Sequence, residues 1–367
     1  MKVLYDHQIF SLQRYGGISR YFCELMHHFE QHDSIDFEVG AKLSNNLYLN
    51  KLNSVSIKPF YPKLKFRGQG RFMYLFNSFV TNSAVGKTNI GVIHPTYYDP
   101  YILKRSKKPI VLTCHDLIHE KFGDQFSQLS DTALTHKKPL LAAAAAIIAV
   151  SENTKQDIVE TYGIPEARIE VIHLASAIST ADVLSTANMS LPEKYLLYVG
   201  NRGIYKNFIN YVKAVAPLLV EDRDLKIICA GGGTFTREEV ALLKQLGVER
   251  NIIHYQIDDA ILATLYHYAL GFVFPSLYEG FGIPVLEAFS CGCPVLASNT
   301  SSIPEVAAKA ASFFDPLSKD SMLESTRMFI QDSNLRKELR KAGQKRVEGF
   351  SWAQTAEKTL NLYKKIV

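Results

Sequence analysis

The chain has 367 residues, 41 Lys and Arg against 36 Asp and Glu for a formal charge of +5, and 47% hydrophobic residues. That length exceeds what one small core serves and predicts two domains. The composition excludes a long disordered arm, and so mild a charge excludes a dedicated nucleic-acid binder.

The first residues, MKVLYDHQIF, mix charges into a short apolar run. They read as a first strand and not as a secretory signal, so the expected location is the cytoplasm. Strands are predicted at 3–5, 91–94, 110–114, 146–150 and 169–172, with a helix over 18–29. A second series follows at 195–199, 225–230, 252–255, 271–275 and 294–297. Short β-rich runs alternating twice with amphipathic ones predict two doubly wound α/β domains. The apolar run 140–150 is too short to cross a bilayer and reads as a buried helix entering a strand. Residues 174–193, rich in Ser, Ala and Thr, read as an interdomain linker, and Trp352, Ala356, Leu360 and Tyr363 are spaced for a final helix. The five cysteines are expected to be reduced and buried, since Cys291-Gly-Cys293 lacks the second pair a zinc site requires.

No Asp or Glu occurs between Ala41 and Tyr98, where basic residues alternate with aromatics. Within 42–71 this pattern predicts either a solvated face or a surface meeting anionic headgroups. In the second case Lys58, Lys63, Lys65, Arg67 and Arg71 lie near the lipid phosphates, and Phe60, Tyr61, Phe66 and Phe72 lie at the interface.

After the strand at 271–275, a Gly-rich loop opens a helix near Pro284. The amides of Phe281, Gly282 and Ile283 precede its first helical hydrogen bonds and carry the positive end of its dipole, which suits phosphate or sugar oxygens. Glu279 in the loop and Glu287, expected in the first turn, frame it at the strand edge where open α/β sheets bind ligands. Arg202 and Lys206 follow the strand at 195–199 and suit a diphosphate, or simply a charged surface. Asp258-Asp259 precedes an apolar helix and reads as an N-cap, not a metal site. Gly16-Gly17 allows either close approach of backbone to a phosphate or a tight turn. Gly231-Gly232-Gly233 reads as a turn near that same edge. His115 ends the strand at 110–114, and Asp116 is expected to fix local backbone.

YEGFGIPVLEA resembles the E-x7-E signature of family 4 of the retaining glycosyltransferases, with both acids, both glycines and the proline present. The resemblance runs through YGGISRYFCEL, CHDLIHE, VSENTKQDI, VGNRGIYKN, IPEV and FFDP, and so covers essentially the whole chain. It implies the GT-B architecture, an α/β fold of two facing Rossmann-like domains with a cleft between them. Residues 1–176 would form the acceptor side and 177–350 the nucleotide-sugar domain, with the helix at 351–367 packing back on the first. By the same resemblance Glu279 binds sugar hydroxyls and Glu287 holds the ribose, while Arg202 and Lys206 hold the pyrophosphate. His115 touches the transferred sugar, Gly16-Gly17 contacts donor phosphate, and backbone near Ile257 meets the base, although Gln256 stands where the family usually has glycine.

No metal and no cofactor beyond the donor is expected. The partners implied are a nucleotide diphosphate sugar and a glycan or lipid-linked acceptor, with an anionic membrane surface through 42–71 and no nucleic acid. YDHQIFSLQRYGGISRYF is similar to the opening of bacterial surface-polysaccharide mannosyltransferases, which implies GDP-mannose, with UDP-sugars as the alternative. A nucleotide-sugar epimerase or hydrolase of the same fold and a two-domain solute-binding protein are the competing readings.

Overall fold

A computed structural model describes residues 1–61, 66–123, 131–184 and 189–367, the side chains of 131–134 excepted. The chain divides into two compact units, Met1–Leu174 with Trp352–Val367, and Ala175–Ser351.

The first unit runs β1 (Lys2–Tyr5), α1 (Gln8–Leu12), α2 (Gly17–Phe29), β2 (Asp36–Val39), α3 (Gln69–Val85), β3 (Val92–His94), β4 (Val111–Cys114), α4 (Ile118–Phe122), α5 (Asp131–Ala143), β5 (Ala146–Ala149), α6 (Glu152–Tyr162) and β6 (Ile169–Val171). Its strands are parallel, in orders β2-β1-β3 and β4-β5-β6, and a bridge between Ile93 and Ile110 joins the two sets. Leu4, Ile93, Leu112, Leu140, Ile147 and Ile158 build the core.

The second unit runs β7 (Tyr195–Val199), α7 (Phe208–Glu221), β8 (Lys226–Ala230), α8 (Arg237–Gln245), β9 (Ile252–Tyr255), α9 (Asp259–Tyr268), β10 (Gly271–Phe274), α10 (Ile283–Ser290), β11 (Val295–Ser298), α11 (Ile303–Ala307), β12 (Ala311–Phe314), α12 (Lys319–Gln331) and α13 (Ser333–Val347). Its six-stranded parallel sheet has the order β12-β11-β10-β7-β8-β9. This is the doubly wound order in which the connection reverses at one point, between β10 and β7, and crevices form outside the carboxyl ends of the strands there. The central strands β10 and β11 are buried along their whole length, as parallel strands covered on both faces must be. The last element, α14 (Trp352–Ile366), belongs to the first unit and packs on α2.

Two strands escaped the sequence reading, β2 and β12. Both are edge strands with partly exposed faces, so neither carries the continuous apolar run that marked the others. The stretch expected to be a linker is largely part of the second unit: the Leu184 amide donates to Thr264 Oγ1, and Tyr255 donates to the Ser190 carbonyl. Residues 185–188 of it lie outside the described residues. All five cysteines are buried and unpaired, and burial pushes the Cys291 thiol up to about 12.

Candidate functional site

The second unit gathers its charged groups where the strand order reverses. Lys206 follows β7 in a short turn, and Glu279 lies in the loop after β10. Lys206 Nζ meets Glu279 Oε1 at 2.7 Å, with both side chains mostly buried. The two loops are also joined through backbone, since the Leu277 amide donates to the Tyr205 carbonyl at 2.8 Å. Ser301 Oγ accepts from the Glu279 amide, while Ser302 Oγ donates to the Glu279 and Phe281 carbonyls at 2.9 and 2.8 Å. These two serines set the path of the acidic loop, and the sequence reading had passed over them.

Gly282 stands at φ +106, a left-handed conformation that glycine adopts without strain, and it turns the chain into α10. The helix begins at Ile283, so Pro284 is its second residue, and the Val285 amide already bonds to the Gly282 carbonyl. Glu287 is the fifth helical residue. It therefore sits at the start of the second turn, one residue further along than expected, because the helix starts before the proline. There it is buried and accepts from the Tyr266 hydroxyl at 3.2 Å.

Arg202 is held more tightly than a surface cation would be. Its Nε pairs with Glu239 Oε1 at 2.7 Å, and Nη2 donates to the carbonyls of Gly233 and Thr234. Nη1 is buried and lacks a hydrogen-bond partner among the described residues, which leaves one charged donor open to a ligand oxygen. Gly232 makes room for this. A Cβ there would come within 2.5 Å of the Gly200 carbonyl and 3.1 Å of Arg202 Nη1, so the triple glycine packs against the Arg202 loop and is more than a turn. Ile257 comes to the same edge after β9, and its side chain would lie 3.5 Å from a Cβ at Gly231. Neighbouring Asp258 caps α9 by accepting from the Ile261 amide. Among the described residues no group of three or more His, Cys, Asp or Glu could hold a metal ion.

In the first unit, His115 follows β4. Its ring stands edge-on to Tyr21 at 5.3 Å, and its amide donates to the Tyr98 hydroxyl. His115 Nε2 is buried with no hydrogen-bond partner among the described residues, and burial pushes the imidazole down to about 4, Asp116 opposing and Lys137 assisting. A neutral ring follows at physiological pH, able to exchange one hydrogen bond with a hydroxyl. Asp116 accepts from the Ile118 amide, which fixes the loop. Buried Lys137 donates to the Asp116 carbonyl and pairs with Glu120 at 2.8 Å, a support that sequence reasoning had not found.

Gly16 and Gly17 open α2. A Cβ at Gly17 would meet nothing within 4 Å, whereas one at Gly16 would meet the Gln13 side chain. Gln13 Oε1 accepts from the Ser19 amide, so part of this helix start is already capped. The arrangement brings Glu279, Lys206, Arg202, Glu287 and Ile257 to one sheet edge, and His115 and Gly16-Gly17 to the strand ends of the first unit.

Residues 15–175 match the family described as Glycosyltransferase Family 4, and residues 187–346 match Glycosyl transferases group 1. O-antigen chain mannosyltransferase B of Escherichia coli is 30% identical over 288 residues, 74% of this chain and 73% of that one. The chain belongs to glycosyltransferase family 4. The fold of this family 4 transferase is that of sucrose-phosphate synthase from Thermosynechococcus elongatus, with a TM-score of 0.78 at 20% identity over 99% of this chain and 98% of that one. Anabaena HepE in complex with UDP and glucose gives 0.75 at 14% identity, covering 99% of both chains. The family 4 transferase therefore has the GT-B architecture, with Rossmann-like α/β domains.

Proposed function

We propose that this family 4 transferase is a retaining, metal-independent hexosyltransferase that moves mannose from GDP-mannose onto a glycan or lipid-linked oligosaccharide in bacterial surface-polysaccharide synthesis. The observation that carries the reading is the Lys206–Glu279 pair at the point where the strand order reverses. A cation and a carboxylate 2.7 Å apart match the two ends of the bond to be broken. The ammonium meets the departing diphosphate, and the carboxylate accepts from hydroxyls of the sugar. Arg202 Nη1 supplies a second donor for phosphate. Positive charge fixed at the leaving group lowers the barrier in the way a bound metal ion does in other sites.

Glu287, oriented by Tyr266, holds the ribose, and backbone near Ile257 receives the base. The amides of Phe281, Gly282 and Ile283 serve the donor's oxygens at the start of α10. His115 contributes a neutral hydrogen-bonding ring to the transferred sugar, and Gly16-Gly17 a close backbone approach to its phosphate. On this reading the C1–O bond to phosphate breaks, the acceptor oxygen bonds C1 on the same face, and the leaving phosphate oxygen takes the acceptor's proton.

The mannose and polysaccharide assignments draw on the Escherichia coli relative's name. No helix among the described residues is long and apolar enough to cross a membrane, which fits work on a lipid-linked acceptor from the cytoplasmic face. Nucleotide release from GDP-mannose, UDP-hexose and dTDP-hexose, with and without a polyprenyl-linked acceptor and in excess chelator, tests the reading. Acceptor-dependent GDP release that survives chelation is the expected result. UDP release would replace the donor, and activity restored only by manganese or magnesium would overturn metal independence.

A further inference from the structure

α3 turns an apolar face outward, where a helix on a water-facing surface is ordinarily polar. Its inward face mixes apolar Met73, Ala84 and Val85 with polar side chains that tie loops together. Asn77 bonds the Lys42 and Leu43 amides, the Leu43 carbonyl and Ser11, while Thr81 donates to the Gly40 carbonyl and meets His7 Nδ1. Its outward face carries Phe72, Leu75, Phe76 and Phe79, spaced to form one stripe and exposed by 54, 61, 41 and 74%. An ordinary surface helix is polar on that outward face.

The stripe does not end with the helix. Phe60 stacks on Phe72 at 5.4 Å, Phe72 stacks on Phe76 at 6.4 Å, and Tyr61 and Phe66 stand edge-on around Phe60. A continuous apolar ridge of this kind on a soluble surface marks a site of association. Exposed Lys58, Arg67 and Arg71 flank it, and none of them enters an ion pair among the described residues. Lys63 and Lys65 lie outside the described residues.

We propose that the outer face of α3, with the ridge it continues, docks the protein on an anionic bilayer surface, the helix lying in the interfacial plane. This rests on the reading of 42–71 as membrane-facing and supplies the apolar half that the charge pattern lacked. The chemistry favours a bilayer over a second copy of the chain. A two-fold pairing would set the acid-free, basic margins of both copies against each other, whereas anionic headgroups neutralise them. A bilayer also takes phenyl side chains along a 17-residue helix of about 25 Å without a shaped counterpart. The inner face of α3 fixes which side of the first unit is presented, for Tyr74 packs on His7 and donates to Asp99 at the carboxyl edge of β1 and β3.

Flotation of the full-length protein with vesicles of phosphatidylglycerol and phosphatidylcholine, against phosphatidylcholine alone, tests the proposal. Binding should require the anionic lipid and fall steeply between low and physiological salt. The triple variant Leu75→Gln, Phe76→Ser, Phe79→Gln should lose at least tenfold in apparent affinity at every salt concentration. Lys58→Ser with Arg67→Ser and Arg71→Ser should lose about 100-fold at low salt, at roughly fivefold per cation. Both variants should keep wild-type turnover on a water-soluble acceptor and the wild-type circular dichroism spectrum, so a failure of docking is read separately from a failure of the transferase assignment. Equal binding to neutral vesicles, no binding by the wild type, or unaltered binding by the outer-face variant overturns the proposal. So does a concentration-dependent dimer that the same variant abolishes while vesicle binding is absent.

Discussion

Lys206 and Glu279 stand 2.7 Å apart with little solvent around either, so each offsets part of the other's cost of burial. Removing one partner takes the opposite charge away from a mostly buried group, which costs about 3–5 kcal/mol in fully buried pairs and less at this exposure. Lys206→Met and Glu279→Gln are each expected to lose stability, the former more because a carboxylate remains. The double variant should regain most of it, yet all three should lose at least about 100-fold in turnover, because fixed charge at the leaving group acts in the transition state. Urea denaturation and steady-state rates on the same preparations check both halves. A double variant no more stable than Lys206→Met would refute the coupling, and near wild-type turnover in Glu279→Gln would remove it from the reaction. At this scale the sequence named the charged residues and their sheet edge, since acids and bases in the YEGFGIPVLEA and VGNRGIYKN segments are visible as letters. It could not name Glu239, Tyr266, Ser302 or Lys137, because each supports its charge from a distant stretch of chain and no local pattern links them.

Among the elements, α14 is held by more than apolar packing. Tyr363 on its inner face bonds the Tyr5 hydroxyl at 3.0 Å and His94 Nδ1 at 2.5 Å, and His94 Nε2 meets Thr113, which in turn meets Tyr21. Burial pushes His94 down to about 3, with His115 adding to the shift. The folded state thus refuses a proton that the unfolded histidine takes near pH 6.5. The contribution is complete above that pH and is lost progressively as pH falls from about 6.5 toward 3, by at most about 1.4 kcal/mol per pH unit for one proton. Stability measured from pH 7.5 to 4.5 should decline by more than this one-proton slope, because buried His115 and His7 are pushed down as well and refuse protons over the same range. His94→Gln should flatten it by about one proton, and an unchanged slope would show that His94 does not govern it. Helix and strand positions were legible wherever burial on both faces produced an apolar run. Edge strands β2 and β12 were not, and neither was the outward Phe stripe of α3, since its periodicity is the same whichever side faces the core.

For the whole molecule, each unit has its own core, and the residues of the second unit proposed to hold the donor lie within one continuous stretch. Heating is therefore expected to give two calorimetric transitions, and a nucleoside diphosphate should raise one of them. At a hundredfold excess over its dissociation constant it adds about 2.7 kcal/mol, which corresponds to roughly 5–10 °C for a unit of this size. A shift confined to the other transition, traced by limited proteolysis, would reassign the nucleotide. The order of the units along the chain has a further effect. Because Trp352–Val367 completes the first unit while Ala175–Ser351 is unbroken, the second unit is an insertion within the first. A ribosome making this protein releases the inserted unit whole while His94 and Tyr5 still wait for Tyr363. Folding during synthesis usually proceeds from the N-terminus onward. Here the part begun first is the part finished last, and a truncation that removes Tyr363 takes from β1 the partner of its Tyr5 hydroxyl.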